Sequence, residues 1–248
     1  MALPHTTLDH YLRAMTDLLT HVVEGQRAQL LEVAERMAET TRRDGRIFIF
    51  GTGHSHLIAE EGFYRAGGLA NAVPMLVEHL MLHSLPALGS HLERTPGLAD
   101  MILDRYDPEP QEMLFVVSNS GVNQLPVEMA IRGHERKLFV VGISSLAYAR
   151  QAPISNVGLR LDQSVDVALD NGGIPGDAYL ALEDFPWRVA PSSTVICALI
   201  WNSLVAETAH LLLKSGVTPP IFASLNIAGA AEHNKALLAK WQPRNIHL

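Results

Sequence analysis

The sequence is poor in cysteine and lacks an uninterrupted apolar run long enough to span a membrane. Cys197 is the one cysteine among 248 residues, so no disulfide can form within the chain, and a reducing cytoplasm is the expected location. The most apolar window, 195–213, is interrupted by Asn202, Glu207 and His210. These interruptions favour a core helix over a membrane span. The N-terminal MALPHTTLDH has no basic stretch followed by an apolar run, so it predicts no targeting signal.

Basic residues are also few relative to acidic ones. With 19 Lys and Arg against 26 Asp and Glu, the formal net charge is −7, which argues against a nucleic-acid partner. An anionic small molecule can still bind such a chain through local N–H and hydroxyl groups. Hydrophobic residues make up 48% and charged residues 18% of the chain, as in an ordinary soluble protein. The length allows one large α/β domain, or one domain with an added helical piece.

The first chemical signal is a strand followed by a glycine turn and a helix. The apolar run IFIF at 47–50 favours a strand buried on both faces, and helical spacing begins after GTGHS at 51–55, called the glycine loop below. Gly67-Gly68 are expected to end that helix. Gly53 lets the backbone approach an anion, which the first N–H groups of the helix would bind. His56 stands where a dinucleotide-binding fingerprint has its third glycine, so a nicotinamide cofactor is not expected.

A second copy of this arrangement lies downstream. The apolar run at 113–117 leads into SNSGVN at 118–123, called the serine loop below, and then into a helix whose first turn can hold Pro126. The loop combines hydroxyls, amides and a glycine that can surround phosphate oxygens with neutral donors: Ser118, Asn119, Ser120, Gly121 and Asn123. No lysine lies in the loop, which excludes a Walker-type nucleotide site. The sequence therefore predicts a phosphate monoester as the ligand.

Strands and helices alternate from Arg46 onward, which predicts a parallel sheet with helices on both sides. Strands are expected at 46–50, 72–77, 113–118, 138–143 and 165–169. Helices are expected at 7–43 (one or a pair), 98–104, 192–213 and 232–241, and a hairpin within 171–191. Ligands of open parallel sheets bind beyond the carboxyl ends of the strands, where the loops 51–55, 118–123 and 142–145 fall. The excursion 84–110, rich in proline and glycine, either covers the site or is only an insertion.

Three motifs together resemble the sugar isomerase (SIS) phosphosugar-binding domain: GTGHS, SNSGVN and VGISS at 141–145. Three further motifs are similar to a bacterial subgroup of SIS proteins whose members are often labelled phosphosugar or phosphoheptose isomerases: MLH at 81–83, VALDNG at 167–172 and EHNK at 232–235. The resemblance implies a three-layer α/β/α fold with a mainly five-stranded parallel sheet. It divides the chain into an N-terminal helical segment, 1–45, and a compact SIS domain, 46–248. It also implies a homodimer or higher homo-oligomer, with helix 7–43 packing on the sheet and on a partner subunit.

The resemblance also implies a set of ligand contacts at the ends of the strands. It assigns sugar-phosphate contacts to the following residues: Ser55, Ser118, Asn119, Ser120, Asn123 and Ser144. Many members have threonine at the position of Asn123, whose amide can still donate a hydrogen bond. From the residues alone, Ser55 either caps the helix after the glycine loop or donates its hydroxyl to the ligand. His54 lies inside the glycine loop and is expected to touch the ligand.

The implied reaction is the interconversion of an aldose and a ketose phosphate, which needs a base and a group that helps the sugar ring to open. A carboxylate with a pKa raised by burial is expected as the base, and Glu60 and Glu61 lie early in the helix after the glycine loop. They point about 100° apart on a helix, so at most one faces the ligand, and Glu61 is preferred. His233 is the candidate for ring opening, supplied in several SIS isomerases by the neighbouring subunit. No cofactor is required.

His79 and His83 have the four-residue spacing that lets two imidazoles of one helix share a metal. No glutamate follows the first histidine and no third ligand is apparent, so we expect no metal and favour a substrate contact for His83. Two other functions stay open. The same base could eliminate a group from C3 of the sugar, as in related etherases, or the domain could sense a phosphosugar without catalysis. The absence of a DNA-binding module from the sequence disfavours a transcription regulator.

Overall fold

A computed structural model of the chain describes residues 6–248. Two helices precede the sheet, so the expected N-terminal helical segment is a helix pair: α1, Thr7–Gly25, and α2, Arg27–Arg42. The sheet strands are β1, Ile47–Gly51; β2, Ala72–Met75; β3, Met113–Val117; β4, Phe139–Ser144; and β5, Val167–Asp170. The connecting helices are α3, Leu57–Gly62; α4, Pro86–Leu92; α5, Leu98–Tyr106; α6, Gln124–Glu135; and α7, Leu146–Gln151. A small hairpin, β6, Ala178–Leu180, and β7, Val189–Pro191, precedes α8, Ser193–Lys214, and α9, Ala230–Trp241.

The five strands form one parallel sheet in the order β2-β1-β3-β4-β5, which confirms the predicted α/β/α fold. From β1 the chain winds outward to β2, and from β3 it winds the other way to β4 and β5. The winding direction therefore reverses between β1 and β3, which are hydrogen-bonded neighbours. A crevice opens beyond the carboxyl ends of the strands at such a reversal, and ligands of doubly wound sheets bind there.

Helices cover both faces of the sheet. Along β1, Ile47 and Ile49 pack into a core with α1, α2 and α8, whereas Phe48 and Phe50 pack into a second core with α5 and α6. Every residue of β1 and β3 is buried, as expected for strands covered on both faces. The N-terminal helices thus share a core with the sheet of their own chain.

α8 is long and apolar enough to cross a membrane by length and composition alone. Its buried residues include Ile196, Ile200, Trp201 and Leu204, which belong to the core cluster that also holds β1 and β3. The Trp201 ring meets the ring of Phe115 edge to face, with ring centroids 5.3 Å apart. The helix therefore packs on the sheet as the central core helix that its interrupted apolar pattern predicts.

Two local predictions are wrong. α3 ends at Gly62, five residues before Gly67-Gly68, and Phe63 is already extended. A Cβ on Gly62 would lie 2.4 Å from Ile49 Cδ1, so α3 packs too closely on β1 for a larger residue there. His79 and His83 do not share a helix either. A single turn of 3-10 helix, Glu78–Leu80, is followed by an irregular stretch up to Pro86, a residue that starts a helix but disfavours helical conformation in the residue before it.

The edge strand β2 is covered by side chains from the C-terminal segment and from α5. The backbone carbonyl of Asn71 faces β1, because it accepts from Ile47 N. Successive carbonyls point to opposite sides along a strand, so the carbonyl of Ala72 points outward, away from β1. Asn245 Nδ2 lies 3.4 Å from Ala72 O, and Tyr106 Oη lies 2.6 Å from Leu76 N just beyond the strand. His247 Nε2 in turn lies 2.8 Å from Tyr106 Oη. These contacts satisfy polar groups along an exposed edge without another strand.

Candidate functional site

The glycine loop and the serine loop lie side by side. Gly51 pairs with Val117 at the carboxyl ends of β1 and β3, so Thr52 and Ser118 begin the two loops from neighbouring strands. Ser144, at the end of β4, is buried beside the serine loop. The structure therefore brings the glycine loop, the serine loop and Ser144 together at the reversal of the winding direction.

The glycine loop is a tight turn rather than a simple helix start. A Cβ on Gly51 would lie 2.4 Å from the carbonyl oxygen of Ser55, so the loop folds directly over this glycine. Gly53 has a φ of +54°, in the left-handed region that glycine tolerates. Gly53–His56 form one turn of 3-10 helix, and Ser55 N donates to Thr52 O at 3.0 Å. Ser55 lies inside this turn and does not cap α3, whose N-cap residue is His56, so its hydroxyl can face a ligand.

His56 contacts the glycine loop, and Glu60 contacts His56. The buried His56 ring contacts the carbonyl oxygen of Gly53 through Nδ1, while Nε2 lies 3.4 Å from Glu60 Oε1. His56 is therefore a packing residue. His54 of the same turn is exposed and lines the smaller cavity described below.

The serine loop is held in place by backbone and amide contacts. Ser118 N donates to Ile143 O, and Asn119 O accepts from Ser145 N at 2.9 Å. The Asn119 side-chain oxygen accepts from Asn171 Nδ2, also at 2.9 Å. Gly121 has a φ of +62°, and a Cβ there would lie 3.2 Å from Ser144 Cβ. This glycine is required both for its backbone conformation and for close packing.

Cavities flank the serine loop on both sides. One of about 420 Å³ is lined by the loop, by α7 and by an arginine: Ser120, Asn123, Gln124, Tyr148, Ser155 and Arg94 are among its residues. A smaller cavity is lined by the glycine loop and by the start of α8: His54, Ser55, Asn119, Ser193, Thr194 and Cys197. A larger cavity of about 530 Å³ lies at the opposite, amino edge of the sheet and contains none of the predicted site residues. The cavity of about 420 Å³ is large enough for a ligand of the crevice, whereas the smaller one, of about 10 Å³, has room for no more than a water molecule.

Cys197 lies in the wall of the smaller cavity but is not a nucleophile. Burial raises the pKa of its thiol to about 12, although Asn171 Nδ2, 3.6 Å from Sγ, opposes that rise. Since the thiolate is the reactive form, this cysteine stays protonated and inert near neutral pH.

The two predicted base candidates lie on α3, away from the end of the sheet. The Glu61 side chain is 30% exposed, pairs with Arg65 and accepts from Asn202 Nδ2 at 2.8 Å. Asn202 is more than two turns along α8 from Ser193, which lines the crevice. The Glu60 side chain is 44% exposed and pairs with His56. Neither glutamate has the buried position expected of the base.

The two remaining histidine candidates are separated within one chain. His233 Nε2 lies 2.7 Å from Ile221 O, and the segment around Ile221 pairs with residues 68–70, just before β2 begins. His233 is therefore near the amino edge of the sheet, across the sheet from the crevice of the same chain. His83 is exposed in the stretch between the 3-10 turn and α4. The structure brings neither of them to the serine loop.

Sequence reasoning missed two residues of the site, Glu93 and Arg94. Glu93 caps the carboxyl end of α4, and its Oε1 accepts from Thr52 Oγ1 at 2.5 Å. Its backbone carbonyl accepts from Leu125 N, in the first turn of α6, at 2.9 Å. Arg94 lines the cavity of about 420 Å³ beside Ser120 and carries a positive charge that the sequence prediction of neutral donors did not include. Both lie in the excursion 84–110, for which the sequence left open a cover over the site or only an insertion, and that pattern singles out neither residue.

Comparison with known proteins identifies the family to which this arrangement of loops belongs. The sequence matches the SIS domain over residues 10–145. A UPF0309 protein of Halalkalibacterium halodurans is 41% identical over 235 residues, which are 94% of each chain. UPF0309 proteins of Listeria monocytogenes serotype 4b and Brucella canis are each 38% identical, over 96% of both chains in the first case and over 97% of this chain and 98% of the relative in the second.

Two solved structures share the fold. A phosphoheptose isomerase from Francisella tularensis superposes with a TM-score of 0.55 at 14% identity, over 83% of this chain and 100% of that chain. A phosphoheptose isomerase from Neisseria gonorrhoeae gives a TM-score of 0.50 at 17% identity, over 84% of this chain and 97% of that chain. At these identities the likeness establishes the three-layer α/β/α architecture.

Proposed function

The chain belongs to the SIS domain family, and from this membership we propose that it binds a sugar phosphate between the glycine loop and the serine loop and interconverts its aldose and ketose forms. One observation carries the proposal. Two glycine-containing loops rich in hydroxyls and amides end neighbouring strands at the reversal of the sheet, with cavities on either side. Such an arrangement binds phosphate oxygens through backbone N–H groups and hydroxyls.

In this proposal the phosphate lies against the serine loop. Ser118, Ser120 and Asn123 supply neutral donors, and Arg94 supplies a cation beside Ser120 and Asn123. The N–H of Leu125 already donates to Glu93 O, so the phosphate depends on the loop residues rather than on that helical amide. Ser55 and His54 of the glycine loop face the sugar, with Gly53 and Gly121 allowing the backbone to come close. Asn119 and Ser144 hold the shape of the serine loop.

The reaction is a proton transfer between C2 and C1 of the open-chain sugar. The base removes the C2 proton, the electrons of the C–H bond form the C1=C2 double bond of an enediol, and O1 takes up a proton. The proton then returns to C1 while O2 loses its proton, which gives the ketose without any net change in atoms. The sequence predicts Glu61 or Glu60 as the base, but the exposure of both side chains does not favour that assignment. In the proposal His233 assists ring opening and His83 contacts the substrate.

A homodimer accounts for the position of His233. Because His233 lies across the sheet from the crevice of its own chain, a partner subunit has to supply it if it acts on the sugar. The proposal therefore includes a site that two subunits share, in a protein of the cytoplasm. No metal or redox cofactor takes part in the proton transfer.

A thermal-shift screen tests ligand binding. The purified protein is heated with aldose and ketose phosphates of five to seven carbons, with the unphosphorylated sugars and inorganic phosphate as controls. A ligand at 100 times its Kd adds about 2.7 kcal/mol to the free energy of unfolding, which raises the Tm of a protein of this size by several degrees. If no sugar phosphate raises the Tm more than inorganic phosphate does, the proposed ligand class is wrong.

Proton exchange then tests the reaction. A sugar phosphate that binds is incubated with the protein in D₂O, and deuterium at C1 and C2 is followed by NMR together with the formation of the second sugar. Exchange with formation of the isomer supports the proposal. Release of a C3 substituent identifies an elimination instead, and binding without exchange identifies a sensor.

A further inference from the structure

We propose that Glu93, rather than a glutamate of α3, is the base that moves the proton in this site; this inference rests on the proposed function. Glu93 lies where the glycine loop and the serine loop meet. Its side chain reaches Thr52 of the glycine loop, and its backbone carbonyl reaches Leu125 in the first turn after the serine loop. It is thus held from both sides of the crevice at which doubly wound sheets bind their ligands.

The two carboxylate oxygens of Glu93 have different surroundings. Oε1 accepts from Thr52 Oγ1 at 2.5 Å, which fixes the orientation of the carboxylate. Oε2 lies 3.9 Å from Arg94 Nη1, beyond hydrogen-bond distance, and within residues 6–248 it accepts no hydrogen bond. One oxygen is therefore anchored and the other is available to accept a proton. An anchored carboxylate with a free oxygen is the geometry that repeated proton transfer between neighbouring carbons requires.

Burial also distinguishes the three glutamates. The Glu93 side chain is 19% exposed, against 44% for Glu60 and 30% for Glu61. Glu61 is engaged with Arg65 and Asn202, and Glu60 with His56 below the loop. The carboxylate of Glu93 is the least exposed of the three, so water competes least with a substrate there.

Arg94 follows directly and completes the arrangement. It lines the cavity beside Ser120 and Asn123, while Glu93 faces Thr52. Consecutive residues thus place a cation on the phosphate side of the crevice and a carboxylate on the glycine-loop side. A sugar phosphate bound with its phosphate near Arg94 and Ser120 would extend its reacting carbons toward Glu93. The base then returns the C2 proton to C1 of the same molecule, as the balanced proton transfer above requires.

The decisive variant is Glu93→Gln. Its amide oxygen can still accept from Thr52 and its backbone can still accept from Leu125, so the fold and the loop positions are expected to persist. A sugar phosphate that stabilises the wild type should raise the Tm of Glu93→Gln by a similar amount. Exchange of the C2 proton in D₂O should fall at least about 100-fold, the lower range for loss of a general base.

Three other glutamine variants provide the comparison. Glu78→Gln changes an exposed glutamate on the 3-10 turn near α4 and should exchange at the wild-type rate. Glu60→Gln and Glu61→Gln test the assignment that the sequence predicts, and each should lose less exchange than Glu93→Gln does.

Each other outcome overturns the inference. Wild-type exchange in Glu93→Gln, or loss of exchange in Glu60→Gln or Glu61→Gln alone, assigns the base elsewhere. If Glu93→Gln loses both the ligand-induced rise in Tm and the proton exchange, Glu93 only holds the two loops in place. Failure of the wild type to bind any sugar phosphate contradicts the proposed function itself, and binding without exchange in the wild type leaves no base to assign. The Tm and exchange measurements on the wild type therefore separate the two kinds of failure.

Discussion

Arg46 and Glu112 form a buried ion pair at the amino edge of the sheet, with Arg46 Nη2 2.8 Å from Glu112 Oε2. Their side chains are 7% and 4% exposed. Arg46 Nη1 also donates to the carbonyl of Arg244, and Arg244 Nη2 lies 3.1 Å from Glu112 Oε1. The pair fastens the starts of β1 and β3 to the C-terminal segment, on the edge opposite the crevice. Changes to this pair should therefore affect stability and leave ligand recognition unaltered.

Removing one partner of this pair should destabilise the protein strongly. Glu112→Ala leaves the Arg46 guanidinium buried without its carboxylate, and such a loss typically lowers the free energy of unfolding by about 3–5 kcal/mol. Urea denaturation should show a lower midpoint at an unchanged slope. Glu135→Ala, which removes an exposed partner of Arg132, should leave the midpoint nearly unchanged. Equal midpoints for the two variants would contradict this account.

Arg94 should contribute to phosphate affinity without being needed for the fold. The Arg94→Gln variant removes the cation beside Ser120, and hydrogen bonds to charged groups contribute about 1.5–3 kcal/mol. We therefore expect the Kd for the sugar phosphate to rise at least about tenfold, with the unphosphorylated sugar bound no more weakly than before. Isothermal titration at two salt concentrations measures this, because the wild type should lose more affinity in high salt than the variant. An unchanged Kd would place the phosphate away from Arg94.

Gly51 should tolerate no side chain. The Cβ of a Gly51→Ala variant would meet the backbone carbonyl of Ser55 at 2.4 Å, so the whole glycine loop would have to shift. We expect the ligand-induced rise in Tm to be lost and the Tm itself to fall. Gly25→Ala is the matched control, because its Cβ would meet no atom within 4 Å at the end of α1. That variant should keep ligand binding and be as stable as the wild type or slightly more so.

His247 should make stability depend on pH. Burial lowers the pKa of this histidine below its ordinary value of 6.5, and the nearby Arg105 lowers it further. Since the unfolded chain then binds the proton more readily than the folded one, the stabilisation is complete above pH 6.5 and is lost as the pH falls below that value. The Tm of the wild type should fall relative to that of His247→Gln between pH 7.5 and pH 5.5. Parallel Tm curves for the two proteins would show that His247 does not titrate in this way.

Hybrid dimers test whether the site is shared between subunits. A His233→Gln chain and a Glu93→Gln chain each lack one group, but a hybrid dimer of the two contains one site with both groups intact. Random exchange of subunits should therefore restore about a quarter of the wild-type rate from two inactive parents. Size-exclusion chromatography with light scattering first establishes whether the protein is a dimer. A mixture that stays inactive after subunit exchange would argue for a site within one chain.

The sequence predicts the fold well because the strongest signals are local. The apolar runs at 47–50 and 113–117 specify buried strands without reference to the rest of the chain, and the loops that follow them are recognisable from their glycines and hydroxyls. The neighbouring positions of these loops then follow from the rule that parallel strands end at one edge of a sheet. The clustering of Ser55, Ser118 and Ser144 at that edge was therefore predictable.

The position of Glu93 was not predictable, because it depends on contacts between distant parts of the chain. Thr52 and Glu93 are 41 residues apart, and α4 between them is short and has no buried residues of its own to produce an apolar pattern. The prediction of where α3 ends was wrong for a similar reason. Glycines at 67 and 68 looked like a helix stop, but the close packing of Gly62 on Ile49 sets the true limit earlier. Tertiary packing overrode the local signal at both positions.

The covering of β2 by Asn245 and Tyr106 has a practical consequence for anyone who shortens the chain. A variant that stops before residue 244 would uncover one border of the sheet, including the outward carbonyl of Ala72. A bare border of this kind recruits strands from other molecules. Such a truncated protein should precipitate or form concentration-dependent aggregates on storage while the crevice on the far side keeps its shape. Residues 244–248 therefore protect this edge of the sheet from aggregation by strand pairing.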